Sequence, residues 1–306
     1  MVKNSVPPLV FFGTGPVAAQ CLELLNKVFA IEAVITKPKA VSHRGSSPVL
    51  EVAEAIGCKV LTASSKKELD TVFAHKPVHS TVAVLIDFGI IVSQHVIDYF
   101  PLGIINSHFS VLPDLRGADP ITFAILSGQK ETGVSLMYLV EAMDEGPLLD
   151  YATYTLPDSI TTPELTQELI AISHRLLTST LPRVFAHDIK AQPQTITGRT
   201  VSYSRKLTKQ DGAIDFTQYT AVELERQIRA YVGWPGSSTA FGHVEVLITK
   251  ARAVTGNMTP GTQVIEKKSL SVACREGLLE IERIKPLGKS EMGIAAFLAG
   301  YRARIQ

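Results

Sequence analysis

The stretch LVFFGTGPVAAQCLELLNKVFAIEAVIT, residues 9–36, decides the fold. Its first run, LVFFG (9–13), is apolar until it ends on glycine. VAAQCLELLNKV then carries apolar residues at helical spacing, and IEAVIT (31–36) returns to an apolar, partly β-branched run. Strands buried on both faces read as such continuous runs, and a helix-period segment between two of them makes a βαβ crossover. Outward from this unit the rhythm repeats. SPVLEVAEAIG predicts a helix, while CKVLTA (58–63), STVAVLI (80–86) and GIIN (103–106) predict further strands. The first half is therefore expected to be an α/β, Rossmann-like domain with a mainly parallel sheet. Asp119 caps and Pro120 opens the next helix, with ITFAILSGQ as its apolar face. GVSLMYLV (133–140) is a strand leading into the loop EAMDEGP. Thr162 and Pro163 start a longer helix that sets Leu165, Leu169, Ile172 and Leu176 at helical spacing.

Near Ala191 the pattern changes. AQPQTITGRTVSYSRKLTKQDG is polar, basic in its middle and without sustained period, as a linker is. Beyond it, Thr220 and Glu223 form a capping box for a helix running to Tyr231. HVEVLITKARAV, TQVIE, LSVACRE and LLEIERI then alternate apolar and polar residues between Gly, Pro and Ser turns. Four or five antiparallel strands plus a helix make a small OB-like β-barrel. The expected division is a catalytic domain over residues 1–190, a linker over 191–207 and a second domain over 208–306.

Composition narrows the class. A chain of 306 residues with 45% hydrophobic and 19% charged residues and a net charge of +1 carries no bulk field for nucleic acid or an anionic membrane. A slight acidic excess before residue 208 turns into a slight basic excess after it. Cys21, Cys58 and Cys274 are scattered and odd in number, which predicts three buried thiols in a reducing compartment rather than disulfides or a metal knuckle. The N-terminal apolar run is too short for a signal peptide, and the longest apolar stretch is interrupted by Asp87, so neither export nor a membrane span is expected.

The chemistry gathers around GIINSHFSVLPDLRGADPI, residues 103–121. Asn106 and His108 are two apart in a strand, so they share a face where it leaves the sheet, at the edge where open α/β sheets bind ligands. Asp144 follows the next strand and is expected at the same edge, behind the imidazole, fixing its tautomer and stabilising its protonated form. An amide, an imidazole and a carboxylate without a nucleophile suit acyl transfer to an amine: His108 takes the amine proton and Asn106 holds the oxyanion. Ser107 faces away, and Ser110 lacks a nucleophile-elbow context. GTGPVA (13–18) is either a tight strand-to-helix turn, the preferred reading, or a dinucleotide loop. In the second case Thr36-Lys37 ends the second strand where an NAD enzyme needs an acid, which leaves only NADP, with Lys37 on its 2′-phosphate. No metal is expected, because His108 and Asp144 lack further ligands at a suitable spacing.

Asn106-Ser-His108, Ser110-Val-Leu-Pro113, Arg116-Gly117-Ala-Asp-Pro120, Glu131-Thr-Gly133-Val134 and Met143-Asp144-Glu-Gly146 resemble, in order, the motifs of the folate-dependent formyltransferases. GTGPVAAQ, SYSRKLTKQDGAIDF, LERQIRAYVGWP, TPGT and IKPLGK are similar to the branch of that family that formylates methionyl-tRNA. The resemblance implies transfer of the formyl group of 10-formyltetrahydrofolate to the α-amine of initiator methionyl-tRNA, by a cytoplasmic monomer, in translation initiation. It assigns Asn106, His108 and Asp144 to catalysis. The pterin is expected against Phe88, Gly89, Ile90 and Ile91 and against Ser110, Val111, Leu112 and Pro113, held by their backbone groups. Lys37, Lys39, Arg44, Arg205, Lys206 and Lys209 are the expected tRNA contacts. Ala40 stands where the family has an arginine on the acceptor stem, the loop around it is shorter than usual, and Asp114 and Asp119 add negative charge beside the cleft. A formyltransferase for another amine, such as a nucleotide-linked amino sugar, is the alternative enzyme; a non-catalytic RNA-binding protein is the alternative of another class.

Overall fold

The structure, a computed structural model, describes residues 6–39 and 47–305. The chain divides into two compact units. The first comprises the chain to Gly117 together with Glu131–Tyr154 and Thr166–Ser204; the second comprises Ala118–Lys130, Thr155–Leu165 and the chain from Arg205. The expected cut at 191–207 is thus joined by two earlier excursions, and most of the expected linker packs with the first unit.

The first unit is built on β1 (Leu9–Phe12), β2 (Ile31–Thr36), β3 (Lys59–Thr62), β4 (Ala83–Leu85), β5 (Ile104–His108), a short β6 (Arg116–Gly117), β7 (Glu131–Tyr138) and β8 (Leu148–Thr155). Seven of these form one sheet in the order β3-β2-β1-β4-β5-β7-β8. The pairings from β3 through β5 are parallel, as the βαβ rhythm predicts. Helices α1 (Pro16–Asn26), α2 (Pro48–Ala55), α3 (Lys66–Ala74) and the single turn α4 (Gln94–Ile97) connect them. Reversal at the chain order's centre, between β1 and β4, makes a switch point at the carboxyl edge, where ligands of open α/β sheets bind. Continuous apolar runs are buried as such runs require: β1 and the last four residues of β2 are fully enclosed. Phe12 stacks on Phe73 with ring centroids 5.9 Å apart and meets Phe88 and Phe100 edge-on at 5.4 and 6.0 Å. Such aromatic pairs add to the burial that holds the sheet.

Two expectations fail here for physical reasons. β7 runs antiparallel to β5, with His108 opposite Ser135 and Ile105 opposite Tyr138, so it ends at the opposite edge from His108. β8, in LLDYATYT, is a strand that the sequence pattern does not predict, since its burial does not alternate regularly. The loop carrying Asp144 must therefore fold back to reach His108. Asp119 does precede a helix, α5 (Pro120–Leu126), but it has a left-handed backbone (φ 56°) and makes no side-chain cap. Its carboxylate instead accepts the Leu207 N–H at 3.3 Å.

Helix α6 (Thr162–Phe185) buries Leu165, Leu169 and Ile172, while Leu176 is half-buried. After a short β9 (Tyr203–Ser204), the second unit contains α7 (Ala221–Ala230), β10 (Ser237–Phe241), β11 (Val244–Val254), β12 (Gln263–Ile265), β13 (Leu270–Ala273), β14 (Leu278–Pro286), β15 (Met292–Gly293) and α8 (Ile294–Ile305). The capping box forms as predicted, Thr220 and Glu223 satisfying each other's backbone N–H groups. The antiparallel sheet runs β10-β11-β14-β13-β12 with β15 on β14, a curled OB-like arrangement with one helix more than expected. On β14 burial shifts from odd to even positions between Ile281 and Ile284, opposite the register shift at Lys250 in β11, as a bulge requires. Cys21 and Cys274 are buried, but Cys58 is half-buried. Burial pushes the Cys21 thiol up to about 12, so it is inert at neutral pH.

Replacing Phe12 by Ala empties the centre of the aromatic cluster and is expected to destabilise the first unit by about 3–5 kcal/mol, read by denaturant unfolding.

Candidate active site

β5 ends on the site. Asn106 and His108 lie on one face of it, each 7% exposed, while Ser107 points the other way and its hydroxyl meets that of Ser173 on α6 at 2.7 Å. The period-2 reading of this strand holds. Asp144 reaches the same face from the β7–β8 loop. Its Oδ1 lies 3.4 Å from Asn106 Nδ2 and 3.7 Å from His108 Nδ1, and its Oδ2 accepts the Gly117 N–H at 2.7 Å. Structure brings the three expected residues together despite the reversed strand.

The ring is oriented differently from expectation. His108 Nε2 lies 2.8 Å from the Leu115 carbonyl oxygen, which can only accept, so Nε2 carries the proton of the neutral ring. The Leu115 carbonyl, rather than Asp144, fixes the tautomer. Nδ1 is left as the basic nitrogen, on the side of Asn106 and Asp144. A proton arriving there forms an imidazolium with the Leu115 carbonyl oxygen on one side and the Asp144 carboxylate on the other. Asn106 keeps an amide N–H for a carbonyl oxygen of a substrate.

Leu115 is itself held. Its N–H donates to Ser202 Oγ at 2.8 Å, and the Arg116 N–H donates to the Ser202 carbonyl at 3.0 Å. Asp114 also takes the Ser202 hydroxyl, so this unexpected acid is committed within the fold. Ser202 lies in the segment expected to be a linker. So does Gln194, which is buried and hydrogen-bonds the backbone of the Asp144 loop. Neither residue carried a sequence signal beyond its place in a polar stretch.

The two expected folate segments differ. Each carbonyl from Ser110 to Pro113 already accepts a hydrogen bond, from Ser135, Asp114, Thr197 and Ser202 respectively, and the Leu112 N–H donates to Ser135. That segment is buried, and its carbonyls are engaged within the fold. The Phe88 to Ile91 loop lies at the carboxyl edge beyond β4, with Ile91 69% exposed. Among the described residues no hydrogen bond from elsewhere engages the peptide groups of Phe88, Ile90 or Ile91.

GTGPVA forms the tight turn. Thr14 donates to the Asp87 carbonyl from both N–H and hydroxyl, at 3.0 and 2.8 Å, and a Cβ on Gly15 would lie 1.8 Å from Asp87 Oδ2. A carboxylate packed there opposes the phosphate that a dinucleotide would bring. The Lys37 ammonium sits over Gly89, 3.1 Å from where a Cβ would stand. Lys39 is exposed, and Arg44, like Ala40, lies outside the described residues. Arg205 is tied to the Asp211 carboxylate through both terminal nitrogens and lies over the Phe123 ring. Its guanidinium holds the Asp211 carboxyl well below the usual carboxylate range. Lys206 and Lys209 are exposed. Among the described residues no group of three or more His, Cys, Asp or Glu side chains is gathered for a metal, and no helix is long and apolar enough to cross a membrane.

Residues 9–181 match the family model described as formyl transferase, and residues 206–302 match the formyl transferase C-terminal domain. This chain belongs to the formyl transferase family. It is 34% identical over 303 residues to the methionyl-tRNA formyltransferase of Roseiflexus sp. strain RS-1, covering 96% of this chain and 92% of the relative. Identity to the methionyl-tRNA formyltransferase of Gluconobacter oxydans is 35% over 301 residues, covering 95% and 96% of the two chains. Among solved structures, the N-formyltransferase of Helicobacter canadensis in complex with folinic acid and dTDP-3-aminofucose superposes with a TM-score of 0.68 at 18% identity, over 94% of this chain and all of that one. With that formyl transferase the shared property is the fold.

Gly117 has a positive φ of 97°, and a Cβ there would lie 2.5 Å from the Ser204 carbonyl oxygen. Gly117→Ala is expected to strain the β6–β9 pairing by about 1–3 kcal/mol, visible as a lower unfolding midpoint.

Proposed function

We propose that this protein transfers the formyl group of 10-formyltetrahydrofolate to the α-amine of methionyl-tRNA. The observation that carries the reading is the near full-length identity to methionyl-tRNA formyltransferases, joined to a site whose basic nitrogen, amide donor and carboxylate converge on one point. The folate supplies the formyl group when bound. Its heterocycle needs paired donors and acceptors, and the Phe88 to Ile91 loop offers peptide groups at the sheet edge that meet that need.

The chain's own residues divide the chemistry. Asn106 donates to the formyl oxygen, whose negative charge grows as the amine nitrogen bonds to the formyl carbon. His108 Nδ1 takes the proton the amine loses, and Asp144 Oδ1 faces the resulting charge. As the bond from the formyl carbon to the folate nitrogen breaks, the same ring returns the proton to that nitrogen and is neutral again. Exposed Lys206 and Lys209 of the second unit, together with Lys37 and Lys39 of the first, meet tRNA phosphates in this reading, while Arg205 is paired with Asp211. The same reading makes the protein a cytoplasmic monomer acting in translation initiation.

Incubation with 10-formyltetrahydrofolate and methionyl initiator tRNA should yield formylmethionine on the tRNA, detected by mass spectrometry. Formylation of a nucleotide-linked amino sugar in its place would overturn the acceptor. His108→Ala and Asp144→Asn are each expected to lower kcat at least about a hundredfold, the scale of a lost base or a lost partner to it. Replacing Lys206 and Lys209 together by Ala should reduce the slope of log Kd for tRNA against log salt by about 1–2 while folate affinity stays unchanged.

A further inference from the structure

Gln194 uses its whole side-chain hydrogen-bonding capacity within the fold. Its Nε2 donates to the Asp144 carbonyl at 2.7 Å and to the Gly146 carbonyl at 3.0 Å. Its Oε1 accepts from Arg116 Nη2 at 2.7 Å and Nε at 3.3 Å. Arg116 Nη1 then donates to Glu145 Oε1 at 2.9 Å, so three consecutive residues of the loop, Asp144 to Gly146, are gripped by one glutamine–arginine pair. Gln194 is 7% exposed, in a single turn anchored by Gln192, whose N–H and carbonyl both pair with Leu148 at 2.7 Å.

What this clasp holds is unfavourable by itself. Asp144 has a left-handed backbone, φ 53°, which costs a non-glycine residue about 1–2 kcal/mol, and its loop has to turn back from the far end of β7. Only in that conformation does its carboxylate meet Gly117, Asn106 and His108. We propose that Gln194 is a positioning residue for formyl transfer, holding the Asp144 carboxylate at the basic nitrogen of His108 through the backbone of the loop. It lies between the two spans that match the family models, and it never touches the reacting groups. An amide is required because it alone donates to two carbonyls while accepting from a guanidinium. A carboxylate of the same shape keeps the arginine and sets its charge against both carbonyls.

The proposal rests on the formyl-transfer reading for its kinetic test and not for its spectroscopic one. In the full-length protein, Gln194→Ala and the isosteric Gln194→Glu are each expected to lower kcat about 10- to 100-fold, the scale of a small misplacement of a reacting group, with KM for folate and tRNA within about twofold. In an Asp144→Asn background either substitution should add less than about twofold, because the carboxylate it positions is gone. An unchanged kcat, a loss carried by KM, or a loss that multiplies in full in that background overturns the proposal. If Gln194→Ala unfolds, Gln194→Glu decides. With histidine labelled by 15N, the His108 imidazole resonances, assigned by their absence in His108→Ala, should move in Gln194→Glu, and unmoved resonances overturn the proposal without any turnover. Should the wild type fail to formylate methionyl-tRNA, the acceptor reading falls, and the spectrum alone judges the clasp.

Discussion

One hydrogen bond organises the site. Because the Leu115 carbonyl can only accept, it assigns the proton of the neutral His108 ring to Nε2 and leaves Nδ1 basic. Everything else at the centre follows from which nitrogen is free. Asn106 and Asp144 lie on the Nδ1 side, so the amide donor, the base and the charge that stabilises its conjugate acid share one approach. Had the ring been held from Nδ1, the free nitrogen would face Leu115 and the backbone. That carbonyl is in turn fixed by Ser202 through the adjoining N–H. The chemistry of a side chain on β5 is therefore decided by main-chain atoms some way along the sequence.

The βαβ scaffold was legible because parallel strands buried on both faces leave continuous apolar runs, and each such run became a strand from Leu9 to His108. Strand direction was not legible. GVSLMYLV has the same hydrophobic pattern whether it runs with or against β5, and only the pairing of His108 with Ser135 reveals the reversal. The alternation of Asn106 and His108 with Ser107 could be read, since a period of two needs no tertiary knowledge. Gln194 and Ser202 could not. Polar residues in an aperiodic stretch look solvated until the groups they satisfy are known, and several of those groups are backbone atoms, which leave no trace in sequence.

Charge around the cleft follows the same lesson. Asp114, Asp119 and Arg205 looked like free charges bearing on an anionic partner, yet Asp114 takes the Ser202 hydroxyl, Asp119 takes the Leu207 amide and Arg205 is bound to Asp211. The Arg205–Asp211 pair is neutral overall, whereas a carboxylate that accepts a single hydrogen bond keeps its negative charge, so Asp114 and Asp119 are held in place without being neutralised. Among the described residues, several Arg and Lys side chains that a count of charges would leave free are held in ion pairs.

The segment from Gln192 to Ser204 has a consequence for how such proteins are assembled from parts. It lies outside both spans that define the family, and a genealogist of domains would draw the seam through it. Yet it pairs with Leu148, β6 and the residues that orient His108. Any exchange of the second domain between relatives, by recombination or by hand, thus has a preferred crossover after residue 204. A junction nearer residue 181 would graft onto this sheet a strap shaped for another loop. Heredity here is expected to keep the strap with the sheet it clamps, and so to separate the inherited module from the one that sequence patterns outline.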